Sequence, residues 1–301
     1  MSESMTREFP IPARLNLLLL VAASVASATL LYVASHATPG WKIASAVGFS
    51  FTANTLFSLL HESVHGLLHP DHRVNRWGGR WAAAFFPTSL ALQRGFHLTH
   101  HRNNRSPIER FDYIESGDIV WLKWLHWYGI LTGIYWVVTQ LGLLLYLVAP
   151  VLLRVPVLRR ASSRVAQQTS SRAYLAVFDN TNGHVARVEL LASFAFQALL
   201  VVALDLDLAG WALCYGAFAI HWSTLQYADH AFSPLDAQDG AWNLRGNPLS
   251  RALFLNYHFH LAHHRYPQTP WLYLPRKVES AGPQPSFFGV WLSMWRGPRR
   301  L

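Results

Sequence analysis

Two long uncharged runs open the chain and set the first prediction. Leu15 to Ala34 holds about 20 residues without a charge, enough to cross a hydrocarbon core of roughly 30 Å at 1.5 Å rise per residue. Thr38-Pro39-Gly40 makes a turn, and Trp41 to Leu60, interrupted only by Lys42, brings the chain back and ends at His61. The pair predicts a transmembrane helical hairpin over about residues 15–60. The first dozen residues are polar, with Arg7 and Arg14 the only basic ones before the apolar run. No small-residue cleavage pattern accompanies them, which predicts an uncleaved anchor and not a removed signal peptide.

From His61 to Trp121 polarity is mixed, with a short apolar piece at Trp81 to Leu92. Trp124 to Leu153 is a third apolar stretch, longer than a minimal crossing and marked by Gly129, Gly133, Gly142 and Pro150. It reads as one tilted span, a re-entrant hairpin or an interfacial helix pair. The connection after it, Arg154 to Arg187, sets six arginines against Asp179 alone; the positive-inside tendency turns it to the cytoplasm. Leu190 to Leu204 and Ala209 to Leu225 predict a second transmembrane hairpin, turned by the acidic segment 205–210, and residues 226–301 form a Pro- and Trp-rich lobe. No internal repeat or low-complexity tract divides the chain, so residues 1–301 read as one all-α membrane domain.

Composition sharpens this picture. Apolar residues make up 51% of the 301 and charged ones 14%, against roughly 25% charged in an ordinary soluble domain, which excludes a disordered chain. The formal charge is +9, and only Lys42, Lys123 and Lys277 of the 25 basic residues are lysines. A basic chain this apolar suits a membrane neighbour before a nucleic acid. The single cysteine, Cys214, excludes intramolecular disulfides, thiolate-held iron–sulfur clusters and four-cysteine zinc sites. A metal here must be held by nitrogen or oxygen.

The nitrogen is supplied by three boxes: His61-Glu62-Ser63-Val64-His65, His97-Leu98-Thr99-His100-His101 and His260-Leu261-Ala262-His263-His264. Histidines three or four residues apart share a helix face and can converge on one ion. Adjacent histidines point about 100° apart on a helix, so each His-His pair can serve two metals. A lone buried histidine is more often a hydrogen-bonded packing residue than a ligand. Three boxes on one predicted membrane side do not read as packing units, whereas a metal site uses each as a neutral nitrogen donor. Glu62, Glu109, Asp112 and Asp229 lie in or near the boxes; each either pairs with Arg102, Arg105 or Arg110 or accepts a proton from a ligand imidazole and fixes its tautomer. His69 and His72 flank the Pro70-Asp71 turn and read as surface or supporting residues, and His36, His126, His184 and His221 have no spacing partner. Trp77, Trp81, Phe85, Phe86, Trp222 and Tyr227 either line an apolar channel or anchor the membrane interface.

The three boxes, their order and their places after predicted hairpins resemble the membrane fatty acid desaturase and hydroxylase superfamily. The likeness runs from His61 to Pro275 and includes Arg102, Arg105 and Glu109-Arg110-Phe111-Asp112-Tyr113 after the second box. Asn256-Tyr257 stands before the third box, and Pro267, Pro270-Trp271 and Leu274-Pro275 follow it. The resemblance implies an all-α membrane anchor of two transmembrane hairpins with a cytoplasmic helical cap holding a di-metal site. It implies eight ligands, His61, His65, His97, His100, His101, His260, His263 and His264, and a ninth after the second hairpin in an Asn-x-x-x-His pattern. Here that stretch is Gln226-Tyr227-Ala228-Asp229-His230; His230 fits, while Gln226 replaces the asparagine that would bind a metal-coordinated water. Gln226, Asp229, His258, Glu62 and Asn256 are expected to support the ligands.

The resemblance further implies two iron ions and O2 acting on the alkyl chain of a fatty acid or acyl lipid taken from the bilayer, with desaturation as the leading reaction. Hydroxylation, ketolation and decarboxylation to a terminal alkene begin with the same hydrogen abstraction. The sequence carries no cysteine cluster, no Gly-x-Gly-x-x-Gly and no His-Pro-Gly-Gly of a cytochrome domain, so electrons are expected from a separate ferredoxin, rubredoxin or cytochrome b5-type carrier on the arginine-rich face. The expected location is a bacterial inner membrane with the metal site facing the cytoplasm. A non-enzymatic metal-binding receptor or transporter competes, but would place its histidines within the spans near the midplane.

Overall fold

The computed structural model describes residues 8–279 and 282–301; Arg7, part of the polar start, lies outside them. The first two apolar runs form α1 (Ala13–His36) and α2 (Pro39–Val64), joined by a two-residue turn with Pro39 opening α2, where its missing N–H costs nothing. Their facing sides bury Leu20, Leu31, Phe49, Leu56, Leu59 and Leu60.

The chain then runs outside the hairpin through α3 (His72–Phe85), capped by Asp71, and α4 (Leu90–Asn103), capped by Ser89. After the two-residue strand β1 (Tyr113–Ile114) come α5 (Val120–Leu131) and α6 (Ile134–Val148), the short helices α7 (Pro156–Arg159) and α8 (Arg164–Gln168), and α9 (Ser171–Asn180). Next stand α10 (Gly183–Ala203) and α11 (Leu208–Ala228). The last lobe holds α12 (Pro248–Leu253), α13 (His260–Arg265), α14 (Phe287–Met294) and β2 (Arg299–Arg300), which pairs in parallel with β1.

Among the described residues three helices are long and apolar enough to cross a membrane: α1, α2 and α10. The second predicted hairpin thus appears as α10 and α11, but α11 is not apolar enough to count as a span. It is the central helix, burying Cys214, Tyr215, Phe218, Trp222 and Leu225 and packing Tyr215 edge-on against Phe49. Gly210 makes the approach to α1 possible, because a Cβ there would lie 2.6 Å from the Ala34 carbonyl oxygen.

The third apolar stretch is not one straight span. α5 and α6 meet at 95°, and the corner is Gly133, at φ +80°, a backbone conformation costly for any residue with a Cβ. A side chain there would also strike α11, 2.7 Å from the Ile220 nitrogen. Beyond the bend the arginine-rich connection returns to the lobe that carries the second box. Arg164 donates to the Gly117 carbonyl at 3.0 Å, Gln168 to Asp118 at 2.7 Å, and Ser170 to the Ile108 carbonyl. The bent pair is a broken span or a re-entrant loop.

Buried polar contacts tie the last lobe to the hairpin. Asn16, fully buried on α1, donates to the Leu67 and Leu68 carbonyls and accepts from the Trp271 indole at 2.8 Å. The Trp271 backbone N–H donates to Glu62 at 3.1 Å, and Thr55 and Ser58 donate to the Leu253 and Phe254 carbonyls. Each partner is satisfied away from water, which such burial requires.

Candidate metal centre

Four elements deliver imidazoles to one end of the bundle: the last turn of α2 with the residue after it, the second half of α4, the turn after α11, and α13. Helical spacing decides part of how they sort. His61 and His65 are one turn apart and project together, joined by His97 from α4 and His263 from α13. His100, His260 and His264 form a second group with His230. In each group one ligand-capable atom per residue lies within 4.8 Å of all the others. The adjacent pair His263 and His264 go to different groups, as the 100° step requires. His97 and His100, and likewise His260 and His263, also divide between the groups although three residues place them on nearly one face, so the i, i+3 pairs do not converge on one ion as their spacing suggests.

His101 sits beside the first group, its Nε2 at 2.9 Å from His97 Nε2 and 3.0 Å from His263 Nε2, with its ring 4.4 Å from that of His264. His65 Nε2 is 2.7 Å from His97 Nε2. Two nitrogens held about 2.1 Å from one ion at right angles stand about 3.0 Å apart, so these spacings suit a shared ion. Buried nitrogens left without a protein partner point the same way: His61 Nε2, His230 Nε2 and His264 Nε2. An unpaired buried polar atom costs free energy, and a metal bond would remove that cost. The donor set is all imidazole nitrogen with no thiolate, which suits iron or another borderline cation.

Burial also sets the protonation. It holds His97, His230, His260, His263 and His264 well below the ordinary histidine range, with neighbouring imidazoles adding to the effect. His65 is lowered to about 4 and His101 to about 3, again by burial first. At neutral pH these rings are uncharged and ready to donate a lone pair.

The carboxylates divide between the two expectations. Glu109 accepts from His100 Nδ1 at 2.7 Å and from the Tyr174 hydroxyl at 2.9 Å, the tautomer-fixing role. Asp112 takes the ion-pair role, in full burial: Arg105 binds it through two nitrogens at 2.9 Å each, and Tyr227 OH and Phe232 N–H also donate to it. Glu62 stands 3.9 Å from His61 Nδ1 and holds Trp271 instead. Asp229 is 3.9 Å from His260 Nδ1, both its oxygens buried without a hydrogen bond, and burial pushes its carboxyl well above the usual range.

Of the remaining expected residues, Gln226 accepts from Tyr257 OH at 2.8 Å, and Asn256 donates to the Trp271 carbonyl at 3.1 Å. His230 Nδ1 bonds the Gly240 carbonyl at 2.8 Å, which turns Nε2 toward the second group. His258 belongs to neither group; it is buried against Phe259. Tyr257, quoted above only as a flanking residue, has its ring 5.1 Å from His61 and 5.0 Å from His260, so it stands between the groups.

A cavity of about 10 Å³ touches both groups, lined by Ser58, Glu62, Leu255, Tyr257, Trp271 and Leu274 with His61, His260 and His263. None of the six aromatic candidates lines it. Phe85, Phe86, Trp222 and Tyr227 are packed in the core and Trp77 is exposed, while Trp81, half exposed, reaches back to the bundle, donating to Ser24 of α1 at 2.9 Å and packing edge-on against Phe196 of α10.

A search of the curated proteins found no match. The model of the family described as Fatty acid desaturase matches residues 35–293, a span that holds every histidine of both groups. The chain belongs to the fatty acid desaturase family.

Proposed function

We propose that this protein is a membrane-bound, O2-dependent di-iron oxidoreductase that introduces a double bond into the alkyl chain of a fatty acid or acyl lipid. The observation that carries the reading is the pair of adjacent four-histidine groups in a chain of this family. Two irons bound by them would supply O2 reduction and cleavage of an unactivated C–H bond, chemistry beyond any side chain. Overall the substrate gives up two hydrogens; with O2, two electrons and two protons the products are the alkene and two waters. The electrons come from a separate carrier of ferredoxin, rubredoxin or cytochrome b5 type, its acidic face set against the exposed arginines.

The chain's own residues hold, orient and exclude. His61, His65, His97 and His263 present nitrogens to one ion and His100, His230, His260 and His264 to the other, with His101 beside the first. Glu109 keeps the His100 ring in the tautomer that frees Nε2. Tyr257, tied to Gln226, occupies the space between the groups, and Leu255, Trp271 and Leu274 keep bulk water from the small cavity. That cavity has room for about one water, so an alkyl chain reaches the centre by displacing these apolar side chains from the bilayer side. We place the protein in a bacterial inner membrane with the histidines facing the cytoplasm, on the side of the arginine-rich connection.

The test is gas chromatography–mass spectrometry of lipids and hydrocarbons from cells expressing the wild type or His263→Ala, with iron measured in both purified proteins. A double bond formed by the wild type and lost in the variant is the expected result. A hydroxyl, keto or terminal-alkene product would reassign the reaction within the family, and absence of iron would overturn the di-iron reading. His263→Ala and His264→Ala are each expected to lower bound iron from about two to about one per chain, because the groups take them separately.

A further inference from the structure

A second cavity lies away from the histidines, where the end of α6, the 3-10 turn Pro150–Arg154, α7 and α9 meet the start of α10. Its volume is about 220 Å³, and Arg154, Arg159 and Arg187 line it with a single acid, Asp179. Arg159 is committed to Asp179 and to the Leu153 carbonyl. Arg154 and Arg187 are exposed; Arg187 rests over the Tyr146 ring, which is stacked on Phe178 at 4.5 Å. These two rings form an apolar wall of the cavity. Thr181 and Gly183 bring the first turn of the 21-residue helix α10 to its edge, and the positive end of a helix favours an anion.

What lies next to the cavity identifies the ligand's other half. Val148, Val151, Leu152, Val155, Val188 and Leu191 are all exposed around it, on α6, the turn after it and the first half of α10, one of the three candidate spans. Six exposed aliphatic residues are costly in water and are satisfied by acyl chains. A cluster of guanidiniums bordering such a surface, at the end of a membrane helix, is the pattern that binds a lipid phosphate.

We propose that this cavity binds the phosphate of an anionic membrane phospholipid, with Arg154 and Arg187 as the phosphate ligands and the acyl chains lying along α6 and α10. The site is separate from the metal centre and does not depend on the reaction assigned to it. α9 connects the two regions: Phe178 lines the cavity and packs on Phe96, next to His97, with ring centroids 5.5 Å apart. A lipid bound there braces the helix that supports α4.

The test uses the full chain in phosphatidylcholine nanodiscs with increasing phosphatidylglycerol, reading the thermal unfolding midpoint. The wild type is expected to gain several degrees, with saturation at a low fraction of the anionic lipid. Each arginine near the surface is worth roughly fivefold in affinity for such a lipid, so Arg154→Gln/Arg187→Gln should need about 30-fold more. Arg160→Gln/Arg172→Gln, which removes two arginines of the same connection that do not line the cavity, should respond as the wild type does. Equal unfolding midpoints of all three proteins in pure phosphatidylcholine establish that the variants fold; if the double variant is unfolded there, Arg187→Gln alone replaces it. An equal response of both double variants, or none from the wild type, overturns the proposal. Stabilisation by millimolar inorganic phosphate equal to that by phosphatidylglycerol assigns the cavity to a free anion and overturns it as well.

Discussion

Glu109 Oε2 lies 2.7 Å from His100 Nδ1, and Tyr174, on a helix that follows it by some sixty residues, donates to the other oxygen. His100 thereby has its Nδ1 proton engaged and its Nε2 turned into the second histidine group. Glu109→Gln keeps the shape and removes the charge that favours a donating Nδ1–H. Loss of such a partner costs about 10- to 100-fold in metal affinity or activity. The expected outcome is weaker retention of iron during titration with a chelator, with the second group emptied first. Tyr174→Phe, which leaves the carboxylate in place, should fall between Glu109→Gln and the wild type. Equal iron retention in all three proteins would contradict the role given to Glu109.

The Arg105–Asp112 pair predicts a stability effect and not a chemical one. Both side chains are almost wholly buried, and Asp112 also takes hydrogen bonds from Tyr227 OH and Phe232 N–H. Breaking a buried pair from one side strands the other charge, at a cost of about 3–5 kcal/mol. Arg105→Met should therefore unfold at a markedly lower temperature than the wild type in the same detergent. Arg105→Met/Asp112→Asn should recover part of the loss, since the amide leaves no buried charge. Were the single and double variants to melt together, the ion pair would not be what holds the end of α4 to the turn after α11.

Much of the site is readable in the sequence because helical spacing is local. His61 and His65, or His260 and His264, are four residues apart and must share a face; the split of His263 from His264 follows from the same geometry. His230 stands alone in the sequence, and only its place after an apolar run in the resemblance picks it out. Contacts across the fold leave no such trace. Nothing near Tyr174 signals Glu109, sixty-five residues away, and Tyr227 reads as a channel aromatic although its hydroxyl joins the Glu109–Asp112 segment. The same limit affects α11. Its apolar pattern resembles that of a membrane-facing span, and its burial depends on Gly210 and Gly133 letting α1 and α5–α6 approach its backbone or theirs, which periodicity does not encode.

The bend at Gly133 predicts topology. Because the connection after α6 bonds back to residues 108–118, a label on it should behave as one on the histidine side of the membrane. The native Cys214 is buried, so single engineered cysteines report their own positions. Arg172→Cys and His72→Cys are expected to react with a membrane-impermeant maleimide from the same face of sealed vesicles, and Ala37→Cys from the opposite face. Labelling of Arg172→Cys together with Ala37→Cys would mean that 124–153 crosses completely.

Acid should release the metal and then weaken the fold, in that order. His65 and His101 are lowered to about 4 and about 3 from the ordinary 6.5, so as pH falls below about 6.5 the unfolded chain takes up protons that the folded chain refuses. Folding stability from these groups is therefore complete above about pH 6.5 and is lost progressively toward pH 4 and below. Bound iron steepens the dependence, since only neutral imidazole binds it and each released ligand competes for a proton. In chelator-treated Asp229→Asn, which lacks a buried carboxyl whose raised pKa pulls the other way, the unfolding midpoint should drop by several degrees between pH 7 and pH 5. The iron-loaded protein should melt higher at pH 7 and converge on the metal-free curve at low pH, with iron appearing in the filtrate over the same interval. A midpoint independent of pH in this metal-free variant would mean that the imidazoles are hydrated, and not the dry, neutral donors that their burial makes them.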